Sequence, residues 1–178
     1  NKCGSTYPSK IQSIVKKYKA HAGISFDGDA DRIIMCDENG KIIDGDQIIA
    51  MLARRWKSKR ILKDGVIGTL MSNYGLQNYF REQKIRFVRA NVGDRYVLEK
   101  MYAKSWTLGG ETSGHIIQLD KGTTGDGLLT AISVLQVMHS TGRTLAELVS
   151  GLQIYPQSMM NVPINGSVSA AILLDDET

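Results

Sequence analysis

Residues 66–104 read VIGTLMSNYGLQNYFREQKIRFVRANVGDRYVLEKMYAK, and this stretch settles the fold class. Its pattern predicts a strand at Val66–Leu70, a helix at Tyr74–Lys84, a strand at Arg86–Ala90 and a helix at Arg95–Lys104. Strand pieces follow at Thr107–Gly109 and His115–Leu119, then helices at Gly127–Ser140 and Leu145–Val149. Such alternation is the mark of an α/β fold with a largely parallel sheet covered on both faces. In the 127–140 helix, Leu128, Ile132, Leu135 and Met138 are expected to face inward. Beyond Tyr155-Pro156 the pattern turns strand-like.

Upstream, Pro8 can open a helix carrying Ile11, Ile14, Val15 and Tyr18 at helical spacing. Strands are expected at Ala22–Phe26 and Ile33–Asp37, a turn at Glu38-Asn39-Gly40, and a hairpin partner at Lys41–Ile43. Asp44 or Asp46 then caps a helix to about Trp56, and the charged stretch Lys57–Asp64 reads as a linker.

Between the first two strands lies Asp27-Gly28-Asp29-Ala30-Asp31-Arg32. Three carboxylates at alternate positions repel one another unless a cation holds them, and their oxygens suit Mg²⁺ or Ca²⁺. Alternate residues of a strand stand ~6.6 Å apart along its axis, so convergence on one ion needs a tight loop. Gly28 and Ala30 leave room for that bend, and Arg32 adds a forked donor suited to phosphate. A solvated acidic turn is the bland alternative. An EF-hand is disfavoured, because position six of its loop must be Gly and here is Arg32, and because strands flank it. A phosphorylated Asp27 nucleophile is a third possibility that residue type alone leaves open.

A second polar cluster, Gly109-Gly110-Glu111-Thr112-Ser113-Gly114-His115, combines backbone access with an acceptor, a hydroxyl and an imidazole, the groups that grip sugar hydroxyls. It lacks the glycines of a serine-hydrolase elbow, and a structural turn is its alternative. Asn91–Tyr96 places Asp94 and Arg95 at a helix start, where an anion could be met or where Asp94 simply caps. Asp126 is read as a helix cap with a possible supporting role near the site.

The 178 residues carry 22 Lys+Arg against 18 Asp+Glu, a net +4 that suits an anionic small substrate and falls short of a nucleic-acid footprint. The basic run Arg54–Arg60 reads as a solvated helix end. Cys3 and Cys36 imply neither a disulfide nor a zinc site. No charged-then-apolar leader is seen, and the apolar stretch near Leu128–Met138 is shorter than the ~20 residues of a membrane span. A soluble protein of a reducing cytoplasm is expected, with no nucleic-acid or membrane partner. The opening Asn1-Lys2-Cys3-Gly4 fits a piece of something longer.

The order of Asp27–Arg32 and Gly110–His115 closely resembles the α-D-phosphohexomutase family. Gly4-Ser5-Thr6, Gly68–Asn73, Val92–Met101 and Thr123–Gly127 extend the resemblance to about Ile164. It implies a layered α/β/α domain with a mixed, largely parallel sheet, preceded by the C-terminal part of a similar domain. The boundaries it implies are 1–56 for the end of domain 2, 57–156 for domain 3, and 157–178 for a linker toward domain 4. By the same resemblance Asp27, Asp29 and Asp31 hold Mg²⁺, Arg32, His115, Asp94 and Arg95 serve catalysis, and Glu111, Ser113 and His115 bind a hexosamine phosphate. The implied reaction interconverts the 6- and 1-phosphates of glucosamine through a bisphosphate; a fragment of a mannose- or glucose-phosphate mutase, or a metal-dependent sugar-phosphate binding module without chemistry of its own, is the alternative. The phosphoserine of domain 1 and the phosphate-binding loop of domain 4 have no counterpart here, so the chain alone is expected to be inactive.

Overall fold

In the computed structural model, which describes residues 4–158 and 160, the chain begins with α1 (Ser9–Tyr18). A meander follows: β1 (Ala22–Phe26), β2 (Ile33–Asp37) and β3 (Ile42–Ile43) pair antiparallel in that order. Next come α2 (Gly45–Ser58), β4 (Gly65–Thr69), α3 (Tyr74–Glu82), β5 (Arg86–Ala90) and α4 (Asp94–Lys104). The described chain closes with β6 (Leu108–Gly110), β7 (Ile116–Gln118), α5 (Gly127–Thr141) and α6 (Leu145–Val149). The second sheet runs β5-β4-β6-β7, with β5, β4 and β6 parallel and β7 antiparallel. Cys3 and residues 161–178, including most of the expected 157–178 linker, lie outside the described residues.

Strand alternation splits this sheet between two cores. Val66 and Leu108 turn into the main core with Ile48, Leu52, Leu76, Phe80, Val134 and Leu148. Ile67, one residue on, faces the opposite side and joins Val97, Met101 and Trp106 beneath α4. Helices therefore cover both faces, as a buried parallel sheet requires. The main core also takes in Ile33, Met35 and Ile43 of the meander, where α5 and α6 pack against β2.

Asp44 caps α2, accepting from the Gln47 amide at 3.0 Å while the Gln47 side chain reaches back to the Asp44 N–H. That reciprocal box fixes the α2 start, and it leaves Asp46 to turn inward. At the other end the basic run is structural: Arg54 donates to the Leu148 carbonyl, Arg55 to Ser140, and Lys57 to the carbonyls of Gln83 and Lys84. The expected linker is partly helix, since α2 continues to Ser58.

The expected inward face of α5 is corrected. Leu128, Ile132 and Leu135 are 58%, 56% and 43% exposed, and only Met138 packs partly against the core. The buried face is Thr130, Ala131, Ser133, Val134 and Val137. This helix is apolar on nearly every side, so periodicity alone does not choose a face. Packing chooses it: α5 lies against α2 and β2, and Ser133 donates to Gln118 Oε1 of β7 at 3.1 Å. Ile132→Lys is accordingly expected to change the unfolding free energy by less than about 0.5 kcal/mol, as an exposed position should. A urea titration giving a loss of several times that size would restore the original assignment.

Candidate functional site

The acidic hexapeptide is the connection of an antiparallel pair. Phe26 and Ile33 are register partners, so the six residues between them must reverse the chain. Asp27 closes the reversal by accepting the Arg32 amide at 3.1 Å. The bend falls on Ala30, at φ +60°, rather than on Gly28. The three carboxylates converge as a result: Asp27, Asp29 and Asp31 each offer an oxygen within 4.8 Å of the other two. Oxygens bound to one Mg²⁺ at ~2.1 Å stand at most ~4.2 Å apart, so a slight closure of this hard, all-oxygen set fits such an ion. With strands on both sides, an EF-hand is ruled out.

Arg32 lies against the cluster, its Nε 4.0 Å from Asp27 and 3.8 Å from Asp31, with the side chain half exposed. Burial pushes Asp27 up, but the Arg32 amide, a hydrogen bond with Asp31 and the Arg32 charge outweigh it and leave Asp27 below its ordinary value. Asp31 is held above its ordinary value by burial and by its neighbour Asp27, against the opposing pull of His115. Two carboxyls pushed apart in this way share a site too close for both to ionise freely.

His115 is 3% exposed and both of its ring nitrogens are engaged. Gly125 N–H donates to Nε2 at 3.0 Å, so the proton of the neutral ring sits on Nδ1, which stands 3.0 Å from Asp31 Oδ2. With Nδ1 against Asp31 and Nε2 accepting from Gly125, both ring nitrogens of His115 already have partners within the protein. Gly125 is confined to glycine, since a Cβ there would meet the imidazole at 2.6 Å.

Backbone hydrogen bonds stitch the second loop to the first. Ile33 N–H donates to the Gly114 carbonyl at 3.1 Å, Arg32 and His115 form a bridge, and Gly127 N–H donates to the Ala30 carbonyl at 2.9 Å. Gly114 makes this approach possible: its φ is +91°, and a Cβ would overlap the Ile33 carbonyl oxygen. Gly114→Ala is expected to destabilise the fold by roughly 2 kcal/mol or more. A melting temperature equal to that of the parent would contradict the stitching.

Glu111 is aimed by its surroundings. Its Oε1 accepts the Gly93 amide at 3.0 Å, at the start of α4, and its Oε2 accepts from Ser113 Oγ at 3.3 Å. The structure thus gathers Asp27, Asp29, Asp31, Arg32, Glu111, Ser113 and His115 around one pair of stitched loops. Asp94 sits in the first turn of α4 and accepts from the Arg95 amide. Arg95 is not gathered with the others; its Nε pairs with Glu99 at 2.7 Å on an exposed flank. Asp126 caps α5 through the Leu129 amide, as expected.

Sequence reasoning missed the Thr112 clamp. Gly45 N–H donates to the Thr112 carbonyl at 3.0 Å and Asp46 Oδ2 accepts from the Thr112 hydroxyl at 3.0 Å. The available signal was the Asp44/Asp46 pair itself, of which a helix start needs only one as a cap.

The site thus joins an acidic loop to a Gly-Glu-x-Ser-Gly-His loop on a layered α/β/α body. Residues 44–155 match the family described as phosphoglucomutase/phosphomannomutase, alpha/beta/alpha domain III, and the chain belongs to that family. Its relatives include the phosphoglucosamine mutase of Pelagibacter ubique (strain HTCC1062), 56% identical over 162 residues that make up 91% of this chain and 36% of that protein. The phosphoglucosamine mutase of Nitrosospira multiformis is 49% identical over 92% of this chain and 35% of its own length. The chain thus spans about a third of the length of these curated relatives. Among solved structures, a phosphoglucomutase/phosphomannomutase family protein from Burkholderia thailandensis superposes with a TM-score of 0.75 at 25% identity, covering 84% of this chain and 33% of that one. An N-acetylphosphoglucosamine mutase from Aspergillus fumigatus, solved with GlcNAc-6P and magnesium, shares the fold at 21% identity, covering 88% of this chain and 38% of that one, with a TM-score of 0.67.

Proposed function

We propose that this chain is the end of the second domain and the whole third domain of a phosphoglucosamine mutase, a cytoplasmic enzyme that interconverts glucosamine 6-phosphate and glucosamine 1-phosphate. The convergence of Asp27, Asp29 and Asp31 on a loop stitched to Glu111–His115 carries this reading. The family match begins at residue 44, the α2 cap, which favours a domain boundary there over one after Trp56.

Asp27, Asp29 and Asp31 would hold Mg²⁺. When bound, that ion supplies charge neutralisation to a phosphoryl group in transfer. Arg32 presents its half-exposed guanidinium beside the carboxylates, where it can stabilise equatorial phosphoryl oxygens. His115 keeps its proton on Nδ1 toward Asp31 and so fixes how that carboxylate points. Glu111, with the Gly93 amide and Ser113 on its two oxygens, retains lone pairs to accept from sugar hydroxyls. Asp94 and Arg95 stay in reserve at the α4 start; Arg95 would have to leave Glu99 to act. A phosphoserine donor and a phosphate-gripping loop would come from domains 1 and 4, so the 178 residues alone are expected to be inactive.

The test is an assay of the longer protein carrying these residues, with Mg²⁺ and a bisphosphate primer. Turnover of glucosamine phosphate at least tenfold above that of mannose and glucose phosphates, lost in Arg32→Ala, is the expected result. Preference for mannose or glucose phosphate would overturn the substrate, and turnover by the isolated chain would overturn the missing-domain argument.

A further inference from the structure

Asp46 stands outside the chemistry described above, yet it is the most tightly enclosed carboxylate near the site. It is 0% exposed, at the second position of α2. Its Oδ2 accepts two hydrogen bonds, from the Asn73 amide at 2.6 Å and from Thr112 Oγ1 at 3.0 Å. Its Oδ1 has no partner among the described residues. A buried carboxylate with one bare oxygen is a burden on the fold, and an amide would accept the same two bonds with less desolvation. What the charge adds is strength, because charge-assisted hydrogen bonds are roughly twice as strong as neutral ones.

That strength is spent on Thr112, which lies next to Glu111. Gly45 and Asp46, the first two residues of α2, take the carbonyl and the hydroxyl of Thr112 respectively. A Cβ on Gly45 would overlap the Glu111 carbonyl oxygen, so the helix start and the loop are in direct contact. Asn73 extends the knot in the other direction. Its side chain accepts from the amides of Gly75 and Tyr155 and donates to the Tyr155 carbonyl and to Gln157 Oε1. One carboxylate thereby joins the Glu111 loop, the α3 start and the segment that follows α6.

We infer that Asp46 is a positioning residue, which holds the Glu111–Gly114 loop in its hexose-accepting shape through the Thr112 hydroxyl and couples that loop to the segment 155–157. This rests on the reading of Glu111 as the sugar-gripping residue, but the hold itself can be measured without sugar.

Amide hydrogen exchange on the 178-residue chain separates the two. In Thr112→Val, and to a lesser degree in Asp46→Asn, the amides of Gly45, Glu111, Gly114 and Gly93 should exchange at least tenfold faster. The amides of Ile67 and Val88, in β4 and β5, should exchange no faster than in the parent. Thr112→Ser, which restores the hydroxyl, should return the loop amides to parent rates. Uniform acceleration across all of these amides would mean that Asp46 serves global stability only, and unchanged loop amides would mean that it holds nothing; either outcome overturns the inference. The longer protein carrying these residues, titrated with glucosamine 6-phosphate, supplies the second arm. If the loop loosens as expected in the variants but the Glu111 and Ser113 amides of the longer protein do not respond to the sugar phosphate, the positioning role stands and the sugar-gripping assignment falls.

Discussion

Asp46→Asn is expected to make the fold more stable than the parent at pH 8, by about 3 kcal/mol, and equally stable at pH 4. Burial, helped by the charge of Asp44, pushes the Asp46 carboxyl from 3.8 up to about 6, although the Asn73 amide, Thr112 and Ser72 draw it down. The native state therefore binds this proton more tightly than the unfolded chain does. Stability contributed by the neutral form is present below pH 4, falls as pH rises through about 6, and is absent above it. The step from 3.8 to about 6, at ~1.36 kcal/mol for each tenfold change in acidity, gives the stated size. Asparagine mimics the protonated carboxyl at every pH, so the stabilities of the two proteins from urea denaturation should coincide below pH 4, separate between pH 4 and about 6, and stay apart by a constant amount above it. Parallel curves at all pH values would mean that Asp46 titrates normally. The same substitution is expected to loosen the Thr112 clamp, so stability gained would accompany rigidity lost.

His115→Gln is expected to weaken Mg²⁺ binding at the acidic loop about 10- to 100-fold, the usual effect of removing the partner that orients a metal-ligating group. Glutamine can still accept from Gly125 in place of Nε2, but it offers no donor where Nδ1 meets Asp31 Oδ2. His115→Asn makes the opposite exchange, keeping a donor near the Nδ1 position, and should retain most of the affinity. Equal affinities for the two variants, measured by calorimetric titration, would show that the imidazole does not act through Asp31.

Much of the framework could be read from residue order. β-branched runs bounded by charge or glycine gave Ala22–Phe26, Ile33–Asp37 and Arg86–Ala90 with the observed limits. The turn at the acidic loop was equally legible, because Asp27, Asp29 and Asp31 can converge only where the chain reverses between two strands. What escaped was set by packing between distant segments. The buried face of α5 depends on its packing against α2 and β2, and it takes in Thr130 and Ser133 while leaving Leu128 and Ile132 exposed, which no apolar periodicity within the helix reveals. The setting of His115 depends on Gly125 supplying an amide to one nitrogen while Asp31 meets the other, contacts that span 10 and 84 residues of sequence. Asp46 looked like a second cap because its partner Thr112 lies 66 residues away.

The most direct test of the central claim, a divalent-cation site at Asp27–Asp31 in a phosphohexomutase domain, is Mn²⁺ titration of this chain followed by amide line broadening, with Asp29→Asn as control. The expected result is selective broadening of Gly28, Ala30, Arg32 and Gly125 at sub-stoichiometric Mn²⁺, reversed by excess Mg²⁺ and abolished in the variant. Broadening that is absent from these amides, or that persists unchanged in Asp29→Asn, would contradict the assignment of the loop as a metal site.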